Sequence, residues 1–68
     1  MELSSRNQLK ATVREVKLGN IMAEVVMDLP GGQQVVAAIT RGSVEHLGLK
    51  VGDEVTAIIK ATEVMVGK

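Results

Sequence analysis

The sequence predicts an all-β domain, and three observations carry that expectation. Apolar and polar residues alternate with period two through several short segments. Glycine, proline and asparagine pairs punctuate those segments as turns do. One stretch of helical spacing interrupts the pattern, after the third strand.

The first strand begins at residues 9–13, with Leu9, Ala11 and Val13 on one face and Lys10 and Thr12 on the other. The apolar positions then shift to even numbers at Val16 and Leu18. One extra residue around Arg14–Glu15 produces that shift, which is the signature of a β-bulge. Gly19-Asn20 reads as a turn. The second strand, at about 21–29, turns Ile21, Ala23, Val25, Met27 and Leu29 to one face. Pro30-Gly31-Gly32-Gln33 makes a hairpin turn into a third strand at about 34–40, with Val35, Ala37 and Ile39 inward. Met22, Val26, Val36 and Ala38 face outward, alongside Glu24 and Asp28, so these two strands are expected to be partly covered on both faces.

"TRGSVEHLGL" at 40–49 then breaks the alternation. Thr40 or Ser43 can cap a short helix, Val44 and Leu47 share a face at i, i+3, and Gly48 suits the left-handed C-terminal position. After the turn "KVGD", a fourth strand at about 54–60 carries Val55, Ala57 and Ile59 inward and Ile58 outward. Val64 and Val66 are expected in a final short strand. Three strands, a short helix and two strands are the order of an OB-like five-stranded Greek-key barrel. Residues 1–68 form one domain, with no linker, repeat or low-complexity tract.

Composition narrows the function. A chain of 68 residues buries only about 60% of its unfolded surface. With no Cys it has no disulfide or thiolate metal site, and its single His cannot build a zinc site. Aromatic residues are absent, yet 46% of the chain is hydrophobic, which implies that part of this surface is buried between subunits. Eight basic residues balance eight acidic ones, leaving no polyanion footprint. An OB barrel binding single strands would need aromatic stacking platforms, so nucleic acid is not an expected partner. No apolar run approaches the ~20 residues of a membrane span, and the start lacks the regions of a signal peptide. A soluble cytoplasmic protein is expected. The chain starts with Met and carries no DNA-binding segment, which favours a free-standing protein.

No catalytic constellation is present, so an enzyme is not expected. His46 beside Glu45 has no nucleophile or carboxylate dyad with it, and a solvated surface position explains it. Asp28, Asp53, Glu54 and Glu63 fall at turns or outward positions. "LPGGQ" lacks the lysine, serine and following helix of a phosphate loop. The four methionines, at strand positions or the start, suit packing.

Hydrogen-bond donors without nearby anions remain: Ser4, Ser5, Arg6, Asn7, Thr40, Ser43 and Lys60. They fall at strand ends or the helix start. Donors with one or two cations and no carboxylate are the composition of an oxyanion site. Local capping explains the Ser and Thr positions equally on spacing alone.

"SSRNQLKATV" at the start, the "AEVVMDLPGG" hairpin and "ITRGSVEHLGLKVGDEVTAIIKATEVMV" at the end resemble the molbindins, the single Mop-type domains. The likeness covers essentially the whole chain. It implies an OB-like barrel that binds molybdate or tungstate for storage and homeostasis, without a cofactor. It further implies a homo-hexamer, a trimer of dimers sharing strands, with oxyanions held between subunits. By that resemblance the oxyanion-binding residues are Ser4, Arg6, Thr40, Ser43, Lys60 and the main-chain N–H of Ala61. A second oxyanion site, largely main chain, is implied near Gly19, Asn20 and Ile21. Ser5 stands where the family's S-A-R-N-Q-L opening has Ala, either adding a hydroxyl near the site or changing the surface conservatively. The alternative function is an anion-sensing or delivery module acting on a transporter or regulator.

Overall fold

The longest strand, β1 (Asn7–Leu18), organises the sheet because it serves two partners in succession. Its first half pairs antiparallel with β4 (Glu54–Ile59), from Asn7 opposite Ile59 to Thr12 opposite Glu54. Its second half pairs antiparallel with β2 (Met22–Asp28), from Thr12 opposite Asp28 to Leu18 opposite Ala23. β2 pairs in turn with β3 (Gln34–Thr40), giving the order β3-β2-β1-β4. The computed structural model describes residues 2–68, so Met1, the first of the four methionines, lies outside the described residues.

The expected bulge is present. Val13 faces Met27 and Glu15 faces Val26, leaving Arg14 unpaired between them. A bulge bends its strand and sharpens the local twist. The bend falls where β1 changes partner. There Val13 accepts from the Gly52 N–H and donates to the Asp53 carbonyl, both at 2.8 Å, which ties the bend to the loop before β4. The extruded Arg14 side chain reaches Asp28, Nη1 to Oδ2 at 3.2 Å.

Turn chemistry fixes the connections. Gly32 donates to the Leu29 carbonyl with Pro30 and Gly31 between them, and Gly31 has φ +96°. That is the pattern of a type II turn, whose third residue needs positive φ. Gly52, at φ +94°, plays the same part in the turn from Lys50 to Asp53.

The helix α1 (Arg41–Leu47) is capped by Thr40, whose hydroxyl accepts from the Ser43 N–H, and it ends on Gly48 at φ +62°. It sends one residue into the core. Val44 is buried, whereas Leu47, expected on the same face, is 64% exposed. Three residues along a helix rotate about 60° away from alignment, enough to carry Leu47 off a contact this narrow.

The core is built from Ala11, Val13, Ala23, Val25, Met27, Val44 and Ala57, with Val35, Ala37, Ile39 and Val55 packed around it. Four face assignments differ from the sequence pattern, and two of them, Leu9 and Leu18 at either end of β1, are exposed instead of inward. Ile21 is exposed because β2 begins one residue later, leaving it in the turn. Val26 is buried on the outward face, where it pairs beside the bulge with Glu15 and with Val36.

The expected fifth strand does not form, and the described sheet has four strands. After β4 the chain makes one 3₁₀ turn (Ala61–Glu63), and residues 64–68 belong to no regular element. Val64, Met65 and Val66 are exposed. An extended segment needs a neighbouring edge to satisfy its backbone groups, and among the described residues none is paired with it. The two sheet edges, β3 and β4, are not bonded to each other. They line an apolar groove of about 460 Å³ between them. The architecture is therefore an OB-like curled antiparallel sheet with one short helix, open along one seam.

Candidate anion site

The residues expected to hold an oxyanion fall into two groups, one at each end of β1. The first group lies where β1 begins and β4 ends. Asn7 pairs with Ile59, so the chain entering β1 (Ser4, Arg6) runs beside the chain leaving β4 (Lys60, Ala61). Ser5 fastens the two, its hydroxyl donating to the Ile59 carbonyl at 3.1 Å. Ser4, Arg6, Lys60 and Ala61 are all exposed, while Ser5 is half-buried. Among the described residues neither Arg6 nor Lys60 is in an ion pair, whereas Arg14, Lys17 and Arg41 each are. Lys60 also turns the chain, its carbonyl accepting from the Glu63 N–H at 2.9 Å.

The second group lies at the opposite end, where β3 runs into α1. Thr40 and Ser43 are arranged by each other. The Thr40 hydroxyl accepts from the Ser43 N–H at 3.0 Å and donates to the Ser43 Oγ at 2.8 Å. The Ser43 hydroxyl proton is thereby left to point elsewhere, and both side chains are exposed. An open hollow of about 450 Å³ is lined by Thr40, Gly42, Ser43, His46 and Leu47. His46, read from sequence as a surface residue, is exposed yet shares this hollow with the two hydroxyls.

Gly19, Asn20 and Ile21 belong to this second end. Thr40 pairs with Met22, and the Arg41 N–H donates to the Ile21 carbonyl at 2.8 Å. The turn is tight: Gly19 donates to the Met22 carbonyl at 2.8 Å, and a Cβ on Gly19 would meet that oxygen at 2.7 Å. Only glycine fits there without a shift. Arg41 reaches the same turn with its side chain, Nη1 to the Gly19 carbonyl at 3.4 Å. Sequence reading passed over Arg41, because its contact joins residues 22 positions apart.

No hydrogen bond or ion pair links the two groups among the described residues. One group contributes two unpaired cations, and the other contributes ordered hydroxyls. Neither alone has the complement that a tetrahedral dianion requires.

Comparison with known proteins places the chain. The TOBE domain model matches residues 3–66. The chain belongs to the TOBE domain family. Molybdenum-pterin-binding protein 3 of Clostridium pasteurianum is 50% identical to this TOBE domain over 66 residues, covering 97% of each chain. A molybdate-binding protein from Sporomusa ovata superposes with a TM-score of 0.94 at 53% identity, covering 100% of both chains. The cytoplasmic molybdate-binding protein ModG, with molybdate bound, superposes at 0.86 and 41% identity. There this domain spans 90% of its own length and 43% of the ModG chain. The resemblance to Mop-type domains read from the opening and closing motifs is thus confirmed at the level of family and fold.

Proposed function

We propose that this TOBE domain binds molybdate and tungstate at sites completed between copies of the chain, and stores and buffers the oxyanion in the cytoplasm. It does so by binding alone, without catalysis. The observation that carries the reading is the division of donors: two unpaired cations, Arg6 and Lys60, at one end of β1, and the Thr40–Ser43 hydroxyl pair at the other. Juxtaposing one end of one chain with the opposite end of another brings both halves together. Arg6 and Lys60 would then nearly neutralise the dianion, while Ser4, Thr40, Ser43 and the Ala61 N–H complete its shell. The relatives' names, which specify molybdate or molybdenum-pterin binding, support the choice of anion.

Chemistry supports selectivity within that choice. Molybdate and tungstate at neutral pH are fully deprotonated and only accept hydrogen bonds. Monohydrogen phosphate carries a proton that a donor-only site leaves unpaired, which counts against it. Sulfate lacks that proton and is excluded by size.

Assembly has its own support. The seam between β3 and β4 is open and apolar, and Val64, Met65 and Val66 are 50%, 93% and 95% exposed. Leu18, Met22, Val36, Leu47 and Ile58 are exposed as well. Patches of this extent mark interfaces. A hexamer built as a trimer of dimers, with strands shared between copies, covers them.

Calorimetric titration with molybdate, tungstate and sulfate, paired with a sedimentation mass, tests the proposal. The expected result is saturable binding of the first two, poor competition by sulfate, and a mass near six times the 7.2 kDa chain. A monomer that binds molybdate with full affinity would overturn the shared-site reading.

A further inference from the structure

We infer that Gln8 is a positioning residue for Arg6, an inference that rests on the anion site proposed above. Residues 2–6 belong to no strand or helix, and chain ends fray unless they are tied down. Two hydrogen bonds tie this end. The Ser5 hydroxyl donates to the Ile59 carbonyl at 3.1 Å, and the Gln8 side-chain amide donates to the Ser5 carbonyl at 2.8 Å. The second bond closes over Arg6 and Asn7, so Arg6 lies inside a turn shut by a side chain. The far end of that turn is fixed to β4, where Asn7 pairs with Ile59 and Gln8 with Ile58. The main chain of Arg6 is thereby held on both sides, next to the point where β4 gives way to Lys60.

What the turn fixes is the start of the Arg6 side chain. Arg6 is exposed, and among the described residues no ion pair or hydrogen bond orients its guanidinium. Its direction therefore follows from its main chain alone. A cation on a fixed stem has less freedom left to lose on meeting an anion than one on a frayed end. Gln8 acts on a second group as well. The Ser5 carbonyl lies between Ser4 and Arg6, where its partial negative charge would oppose an anion held by both, and the amide donor facing it offsets that charge. Gln8 itself is exposed and its bond is local, so its weight in overall stability is small.

The test is a double-mutant cycle, read by calorimetric titration of the assembled protein with sodium molybdate. Gln8→Met keeps the length of the side chain and removes its donor. It is expected to weaken binding about threefold or more, the cost of ordering one freed side chain, while melting temperature and sedimentation mass hold. In the Arg6→Ala background the same substitution should cost nothing, because it acts through Arg6. In the Lys60→Ala background it should keep its full cost. Undiminished affinity in Gln8→Met, with Arg6→Ala impaired, would overturn the role of Gln8 and leave the anion site standing. An equal cost with and without Arg6 would overturn it too, since a purely structural bond behaves that way. Unchanged affinity in Arg6→Ala itself would overturn the anion site at this end, and the positioning role with it.

Discussion

The two ends of β1 differ in how they are held. At the Thr40 end, side chains order one another: hydroxyl caps helix, hydroxyl meets hydroxyl, and guanidinium grips turn. At the Lys60 end, order comes from the main chain and from Ser5, and the two cations extend freely from exposed positions. The first end is prearranged but short of charge. The second has the charge without the arrangement. Oxyanion binding needs both, because charge-assisted hydrogen bonds supply strength and fixed donors supply geometry. Under the proposed function the two ends are complementary half-sites, and the exposed apolar seam and tail are what would bring them together.

The strongest way to break the comparison is to prevent assembly. Deleting residues 64–68 removes the exposed Val64–Val66 segment while leaving every core residue in place. The expected outcome is a fall in mass by sedimentation, with molybdate binding lost altogether. A deletion variant that keeps both mass and binding would show that the tail is irrelevant to the site.

Next in size is the removal of charge at the Lys60 end. In the proposed site Arg6→Ala and Lys60→Ala would each delete a partner of the dianion, and a hydrogen bond to a charged group contributes about 1.5–3 kcal/mol. The affinity should fall by roughly tenfold or more in each, read by calorimetry. Neither residue is in an ion pair or in the core, so the melting temperature should hardly move. Unchanged affinity in both variants would place the anion elsewhere.

The Thr40 end should respond in the opposite sense, with stability coupled to binding. Thr40→Val removes the acceptor for the Ser43 N–H, and loss of an N-cap costs about 1 kcal/mol. It also releases the Ser43 hydroxyl from its partner, so affinity and melting temperature should fall together. Ser43→Ala keeps the cap and should weaken molybdate binding alone. If both variants lowered stability equally, the hydroxyl pair would be a structural device and not a binding one.

The fold was legible in the sequence wherever the signal was local. The phase slip after Val13 exposed the bulge, because a single extra residue reverses every later position in a strand. Pro30-Gly31-Gly32, Thr40 and Gly48 each announced a turn or cap whose backbone angles only a few residues satisfy. The fifth strand failed for a reason that no local pattern carries. Val64 and Val66 alternate as a strand does, but a strand also has to pair with an edge, and among the described residues this segment pairs with neither free edge of the sheet. Leu47 failed similarly, since its burial depends on what lies opposite a two-turn helix. At the candidate site the residue types were readable and their grouping was not. Nothing in the spacing of Arg6, Thr40 and Lys60 reveals that β1 holds them at opposite ends, and Arg41 touches Gly19 only through the fold.

Ser5 gives the smallest effect and the cleanest control. Where the family motif has alanine, this chain has a hydroxyl, and it is already committed to the Ile59 carbonyl at 3.1 Å. That bond ties the entry of β1 to the exit of β4, the strand ends that bring Ser4 and Arg6 beside Lys60. An intramolecular hydrogen bond contributes about 0.5–1.5 kcal/mol net, and a half-buried one belongs at the lower part of that range. Ser5→Ala should therefore lower the melting temperature slightly and leave molybdate affinity unchanged, because the hydroxyl faces the main chain and not the anion. The neighbouring Ser4→Ala should do the reverse, weakening binding at constant stability. If Ser5→Ala cost as much affinity as Ser4→Ala, the hydroxyl would be a ligand, and the Lys60 end would be more ordered by its anion than by its own backbone.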